Sequence, residues 1–203
     1  GWCEDGGMTG FSSMTKAQAG AYLQQFLAEA PESLARLDGL VRAAGGAPVS
    51  ADPSPASLDR AWAGARPVLA WAPGYVPPPL GAPAPPPDRT ALGPEAMLPS
   101  WCAHEQHPSY AQYSADTVWV IDGLARQLAQ VVLDQVAGTA WAVGHSRRKG
   151  YLHEGSPVIT GLGADLNPRW TVSTVVGHAL RGGAPQGAPN TVRELYRTWV
   201  DRA

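Results

Sequence analysis

The sequence predicts an α+β fold in which a few strands are segregated from the helices. Three observations carry this. Apolar residues recur at helical spacing from Thr15 to Pro67. The broadest apolar stripe lies mid-chain, between Ser114 and Gly138. The period then switches to two between Thr139 and Thr160, before helical spacing returns. Strands and helices do not alternate, which disfavours a Rossmann or barrel fold, and no internal repeat is visible. The expected order is a helical N-terminal part, a long proline-rich loop, a central buried helix on a small antiparallel sheet, and two C-terminal helices.

Thr15 is a good N-cap for TKAQAGAYLQQFLAEA, and Tyr22, Leu23, Phe26, Leu27 and Ala30 form one stripe. Pro31 suits the first turn of a second helix, PESLARLDGLVRAAGG. Leu34, Leu37, Leu40 and Val41 continue the inner face, and Gly45-Gly46 stops it. A third helix, SPASLDRAWAGARP, takes its cap from Ser54 or Ser57, turns Leu58, Ala61 and Trp62 inward, and ends at Pro67. Residues 72–100 carry prolines too densely for any helix. Polyproline II or irregular extended chain is expected there, wrapping Trp71, Tyr75, Val76 and Leu80 onto the domain.

SADTVWVIDGLARQLAQVVLDQVAG is the strongest helix, capped by Ser114 or Asp116. Val118, Ile121, Ala125, Leu128, Val132 and Val136 alternate three and four apart, widened by Leu124 and Val131, which suits a largely buried element. TAWAVGHSRRKGYLH then predicts a strand, a polar turn and a second strand at Tyr151-Leu152-His153. Val158 to Thr160 makes a third, and the sheet is expected to lie on the central helix. Asn167 caps a helix that opens with Pro168 and buries Val172, Val175, Val176 and Ala179. TVRELYRTWVDR closes as an amphipathic helix, with Val192, Leu195, Tyr196 and Trp199 inward.

Composition bounds the function. A chain of 203 residues buries roughly 70% of its unfolded surface and needs no disulfides for a core. Charged residues make up 16% of it, against about 25% in an average domain. The 15 basic and 17 acidic residues leave a net charge of −2. No basic excess exists to neutralise a phosphate backbone, which argues against nucleic-acid binding. The cluster Arg147-Arg148-Lys149 reads as a solvated hairpin tip. Two cysteines, Cys3 and Cys102, make no disulfide framework, so a cytoplasmic setting is expected. No apolar run reaches about 18 residues, so no membrane span is expected. Residues 1–13, with Glu4 and Asp5, read as a tag or disordered leader before a single domain over 14–203.

Between Leu98 and Leu180, "VWVIDGLARQLAQVV", the strand "TAWAVGH" and the helix start "DLNPRWT" resemble uncharacterised, mainly actinobacterial proteins of unknown function. The resemblance implies a compact helix-plus-small-sheet domain and no assigned chemistry. It highlights Trp119, Gly123, Trp141, Asn167 and Pro168, which mostly suit structural work.

Three clusters are candidates for chemistry. Cys102, His104 and His107, with Glu105 nearby, offer ligands to zinc, which needs three or four at ~2.0–2.3 Å. No second Cys/His pair follows, and the spacing is wrong for one helical face, so an ordinary loop is the expected reading. Cys102 with His145, His153 or His178 would make a nucleophilic pair if the fold joined them. "GLGADLNP" precedes a helix start where Asn167 and Arg169, aided by Arg147 and Arg148, would seat an anion, but it lacks any phosphate-loop signature. The leading expectation is a non-catalytic binding protein of immunity, accessory or assembly type. Its partner is a protein, with no nucleic acid, membrane or cofactor involved. Its surface is drawn from Trp71, Tyr75, Trp101, Arg147, Arg148, Asn167 and Arg169. The alternative is a small enzyme or metal-binding protein using Cys102, His104, His107, His145 and His153. A weaker option is a scaffold that docks through its proline-rich arm.

Overall fold

The computed structural model describes residues 10–48, 52–79, 88–94, 97–105, 109–147 and 150–201. These form an α+β fold of helices α1 (Lys16–Ala28), α2 (Ala30–Ala43), α3 (Pro55–Ala65), α4 (Ala115–Gln135), α5 (Pro168–Leu180) and α6 (Val192–Val200), with strands β1 (Ala140–Val143) and β2 (Pro157–Thr160). Among the described residues no helix is long and apolar enough to cross a membrane.

Local chemistry places the helix starts. Thr15 and Gln18 form a reciprocal capping box at α1. Ser114, Asn167 and Thr191 each accept a backbone N–H at the starts of α4, α5 and α6. Ser54 holds the cap position of α3 without a side-chain bond; instead Asp52 accepts the Ser54 N–H at 2.8 Å.

α4 is the axis of the core. Val118, Val120, Ile121, Leu124, Leu128, Val131 and Val132 are each at most 1% exposed. Each buried aliphatic contributes about 1.5–3 kcal/mol relative to exposure. α2, α3, α5 and α6 surround α4. The closest approach is at Gly123, where a Cβ would stand 2.6 Å from the Leu37 Cβ of α2. The Gln127 amide, fully buried, donates to Ser57 Oγ at 2.8 Å and to the Asp52 carbonyl at 2.7 Å, tying α3 to α4.

The sheet differs from the expected three-stranded one. β1 pairs directly with β2, antiparallel, with Trp141 opposite Ile159. Tyr151-Leu152-His153 is not a strand but part of a turn-rich loop. The reason is local: Gly150 and Gly155 take positive φ and bend the chain at both ends of that stretch, and Leu152 points to solvent. Among the described residues, β2 is bridged on its other edge only at Ile159–Leu166. β1 leans on α1, with Trp141 edge-on to Phe26 at 5.4 Å, rather than lying flat on the central helix.

Two further segments pack inward. Phe11, assigned by sequence to a leader, is 6% exposed and meets the Tyr22 ring at 5.3 Å. Its carbonyl lies so close to Gly155 that any Cβ there would collide with it. The proline-rich segment is pinned where it begins. Ala70 exchanges hydrogen bonds with Thr117 and Ser114, and Trp71 stacks on Tyr113 at 5.5 Å and 10°. Residues 72–79 are irregular; Val76 is exposed, and Leu80 lies outside the described residues.

Candidate functional site

The start of α5 faces a hollow of about 240 Å³. Asn167 accepts the Trp170 N–H at 3.1 Å, which fixes the first turn and holds Arg169 and Trp170 on the wall. A 3-10 turn at Ser100–His104 supplies Trp101 and His104, with Glu105 directly after it. The turn-rich loop contributes Leu152, His153, Glu154 and Ser156. Leu152 and Trp170 are large apolar side chains left exposed, at 74% and 49%.

The charges in this hollow are largely internal pairs. Arg169 binds Glu105 at 2.5 Å, and its guanidinium carbon sits 4.5 Å from the Trp101 ring. Glu154 takes a 2.6 Å bond from His145 and the Ser146 N–H at 3.2 Å; these hold its carboxyl below the usual carboxylate range. His153 lies between the rings of Trp170 (5.2 Å) and Tyr151 (5.7 Å), with the Asn167 amide 3.5 Å from its Nδ1. Burial, and then the nearby Arg169 cation, push its imidazole below the ordinary histidine value. Tyr151 donates to Asp165 at 2.5 Å; burial first, then that bond to a carboxylate, raise its phenol. The His104 ring stands edge-on to Tyr22 at 4.7 Å and tilted to Phe11 at 5.5 Å.

Trp101, His104, His153, Asn167 and Arg169, singled out from three separate stretches of sequence, thus share one hollow. His145 is 74% exposed at its side chain and reaches the hollow only through Glu154. Cys102 is 1% exposed and is not part of the wall; the Tyr110 hydroxyl donates to its carbonyl at 3.0 Å. A thiolate nucleophile at Cys102 is therefore sealed from any ligand in the hollow. Among the described residues no three His, Cys, Asp or Glu side chains converge as a metal site; His107 and Arg148 lie outside those residues. Arg147 is exposed, away from the hollow's wall. Trp71 and Tyr75 belong to a separate packing cluster. Their rings are 5.4 Å apart, the Arg181 guanidinium lies 5.0 Å over Trp71, and Tyr75 donates to Gln112 at 3.2 Å.

Sequence reasoning missed a buried polar network joined to this site through Trp101. Asp122, 1% exposed, accepts the Trp101 indole N–H at 3.1 Å, Arg126 Nε–H at 3.1 Å and the Ser33 hydroxyl. Arg126, 4% exposed, also donates to the Phe26 carbonyl at 2.5 Å and approaches Glu29 at 3.7 Å. Ser100 donates to Glu29 at 2.6 Å and meets the Tyr22 hydroxyl at 3.1 Å. The signal was present as an Asp and an Arg four apart inside the apolar stripe of α4. Trp101 couples the two regions, its ring under Arg169 and its N–H on Asp122.

Comparison of the chain with protein-family models, with curated proteins and with solved structures finds no match.

Proposed function

We propose that this chain is a binding protein without a catalytic step, and that its ligand enters the hollow at the start of α5. The observation that supports the reading most is the convergence there of Trp101, His153, Asn167 and Arg169, beside exposed Leu152 and Trp170. Every ionic group on the wall already holds a neighbour, which suits recognition by fixed hydrogen-bonding groups rather than chemistry by a poised nucleophile. Leu152 and Trp170 extend the surface outward, as apolar anchors do when the ligand is displayed by a protein partner. The surface proposed from the sequence thereby moves away from Trp71 and Tyr75, whose rings pack on their own chain.

The test is NMR of ¹⁵N-labelled full-length protein, reading the indole N–H signals of Trp101 and Trp170. Probes are added by class: neutral sugars, carboxylic acids, primary amines, amides and short peptides. Binding by any class that moves both indoles, and that is weakened by Leu152→Ser or Trp170→Ser, supports the reading. If every class leaves both signals unmoved, the hollow is not the binding site.

A second reading, a proton-transfer enzyme, is favoured by one observation: the His153 imidazole stands in the same hollow as the carboxylates of Glu105 and Glu154. His153→Gln separates the two. A binding protein keeps its ligand with altered affinity, whereas an enzyme retains binding and loses turnover.

A further inference from the structure

The lining carries both signs of charge, and each charged group already has a partner in the chain. An incoming carboxylate or phosphate meets Arg169 but also Glu105 and Glu154, and an incoming ammonium meets the reverse, so neither sign finds a counter-charge without a competing partner. The Arg169–Glu105 pair, whose side chains are 13% and 20% exposed, would have to be broken or shared to accommodate an ion. Breaking a partly buried pair leaves the abandoned partner uncompensated. A neutral ligand faces neither cost.

The hydrogen-bonding groups point the same way. Ser109 and Ser173 are among the lining residues, together with Arg169, Glu105 and Glu154, while Ser156 and Asn167 lie behind them, nearly fully buried. Donors and acceptors are interleaved. The groups that complement such a wall are themselves both donor and acceptor, as hydroxyls are. At about 240 Å³ the space falls below the ~300–1,000 Å³ typical of drug-sized ligands, and so fits a single small ring. Beside it, Trp170 offers a half-exposed indole, the side chain best suited to an apolar C–H face that carries polar edges.

We propose that the hollow takes a neutral, hydroxyl-rich ligand, one ring of a saccharide, with Trp170 against its C–H face and Arg169, Ser109 and Ser173 on its hydroxyls. This rests on the reading of the hollow as the binding site and names the chemistry it recognises. The ring is either a free sugar or a terminal residue of a glycan; the hollow sees the same atoms in both.

The experiment uses the full chain and two arms. In the first, glucose, galactose, mannose and N-acetylglucosamine are titrated while the Trp101 and Trp170 indole signals are followed, with sodium acetate, sodium phosphate and methylamine as ionic controls. In the second, the protein is applied to an array of immobilised glycans. The expected result is saturable movement of both indoles by at least one sugar and none by the ions. Trp170→Ala, an exposed position, should weaken binding about fivefold or more, while Arg181→Ala, beside Trp71, leaves it unchanged. Binding to the array without a response to monosaccharides assigns the source to a glycan. If acetate, phosphate or methylamine moves the indoles and no sugar or glycan binds, the hollow is still the binding site but its ligand is ionic, and the proposal fails. If no probe of either kind binds, this proposal and the site reading fail together. Sugar binding unaffected by Trp170→Ala places the sugar elsewhere and also overturns it.

Discussion

Arg126→Leu tests the polar network that holds the site on the core. The substitution removes the cation whose Nε–H lies 3.1 Å from Asp122, a carboxylate 1% exposed. Ser33 and Trp101 still donate to that carboxylate, but its charge is left without a counter-charge in contact. Breaking a buried pair from one side costs about 3–5 kcal/mol, a large share of the roughly 5–15 kcal/mol that holds a domain together. Leucine refills part of the space over the Phe26 ring, where the guanidinium carbon sits at 3.9 Å. Steric loss is therefore the smaller component. In a domain of this length about 2–4 °C is lost per kcal/mol, so the melting temperature should fall by on the order of 10 °C. Thermal unfolding followed by far-UV circular dichroism measures that fall, and urea denaturation followed by tryptophan fluorescence measures the free energy. The paired variant Asp122→Leu/Arg126→Met removes both charges and should be less damaged than the sum of the two single variants, because no uncompensated charge remains, although the Trp101 N–H and the Ser33 hydroxyl lose their acceptor. A single-variant loss under ~1 kcal/mol, or a double variant as damaged as the sum of the singles, would falsify the account.

Gly123→Ala raises the helix propensity of α4 by about 1 kcal/mol, yet its Cβ would sit 2.6 Å from the Leu37 Cβ. Overpacking at ~1–3 kcal/mol should win, and a stabilised variant in the same urea assay would contradict the close approach of α2 and α4. Asn167→Ala removes the N-cap of α5 and should cost about 0.5–2 kcal/mol. It should also shift the Trp170 indole signal, because that cap positions the first turn; an unmoved indole would separate the cap from the hollow. His153 supplies a pH signature. Its folded-state value lies below the ordinary 6.5, so the unfolded chain takes up the proton first. The contribution is fully present above that value and is lost as pH falls towards the folded one. Histidine NMR should give a midpoint below 6.5, moving up in Arg169→Gln. A midpoint at or above the ordinary value would mean the ring is neither buried nor beside the cation.

Much of the fold was legible because its signals are short-range. Thr15, Ser114 and Asn167 each act on an N–H three residues away, so their roles follow from sequence alone. The stripe of α4 needs only the helical period. The loop at 151–153 was misread as a strand because three residues carry too little period to outweigh the turns at Gly150 and Gly155. Phe11 was misplaced because its burial depends on Tyr22 and Gly155, neither of them a sequence neighbour.

The order of helices, their caps and the buried face of α4 were determined by the sequence itself, since each rests on contacts within one or two turns of chain. Only the tertiary structure decided that Trp101, His153 and Arg169 share a hollow, and that Asp122 and Arg126 neutralise each other in a network joined to it through Trp101. Those meetings depend on how the loops bring distant segments back to α4. Loop paths are set by packing against the finished core, which no local pattern encodes.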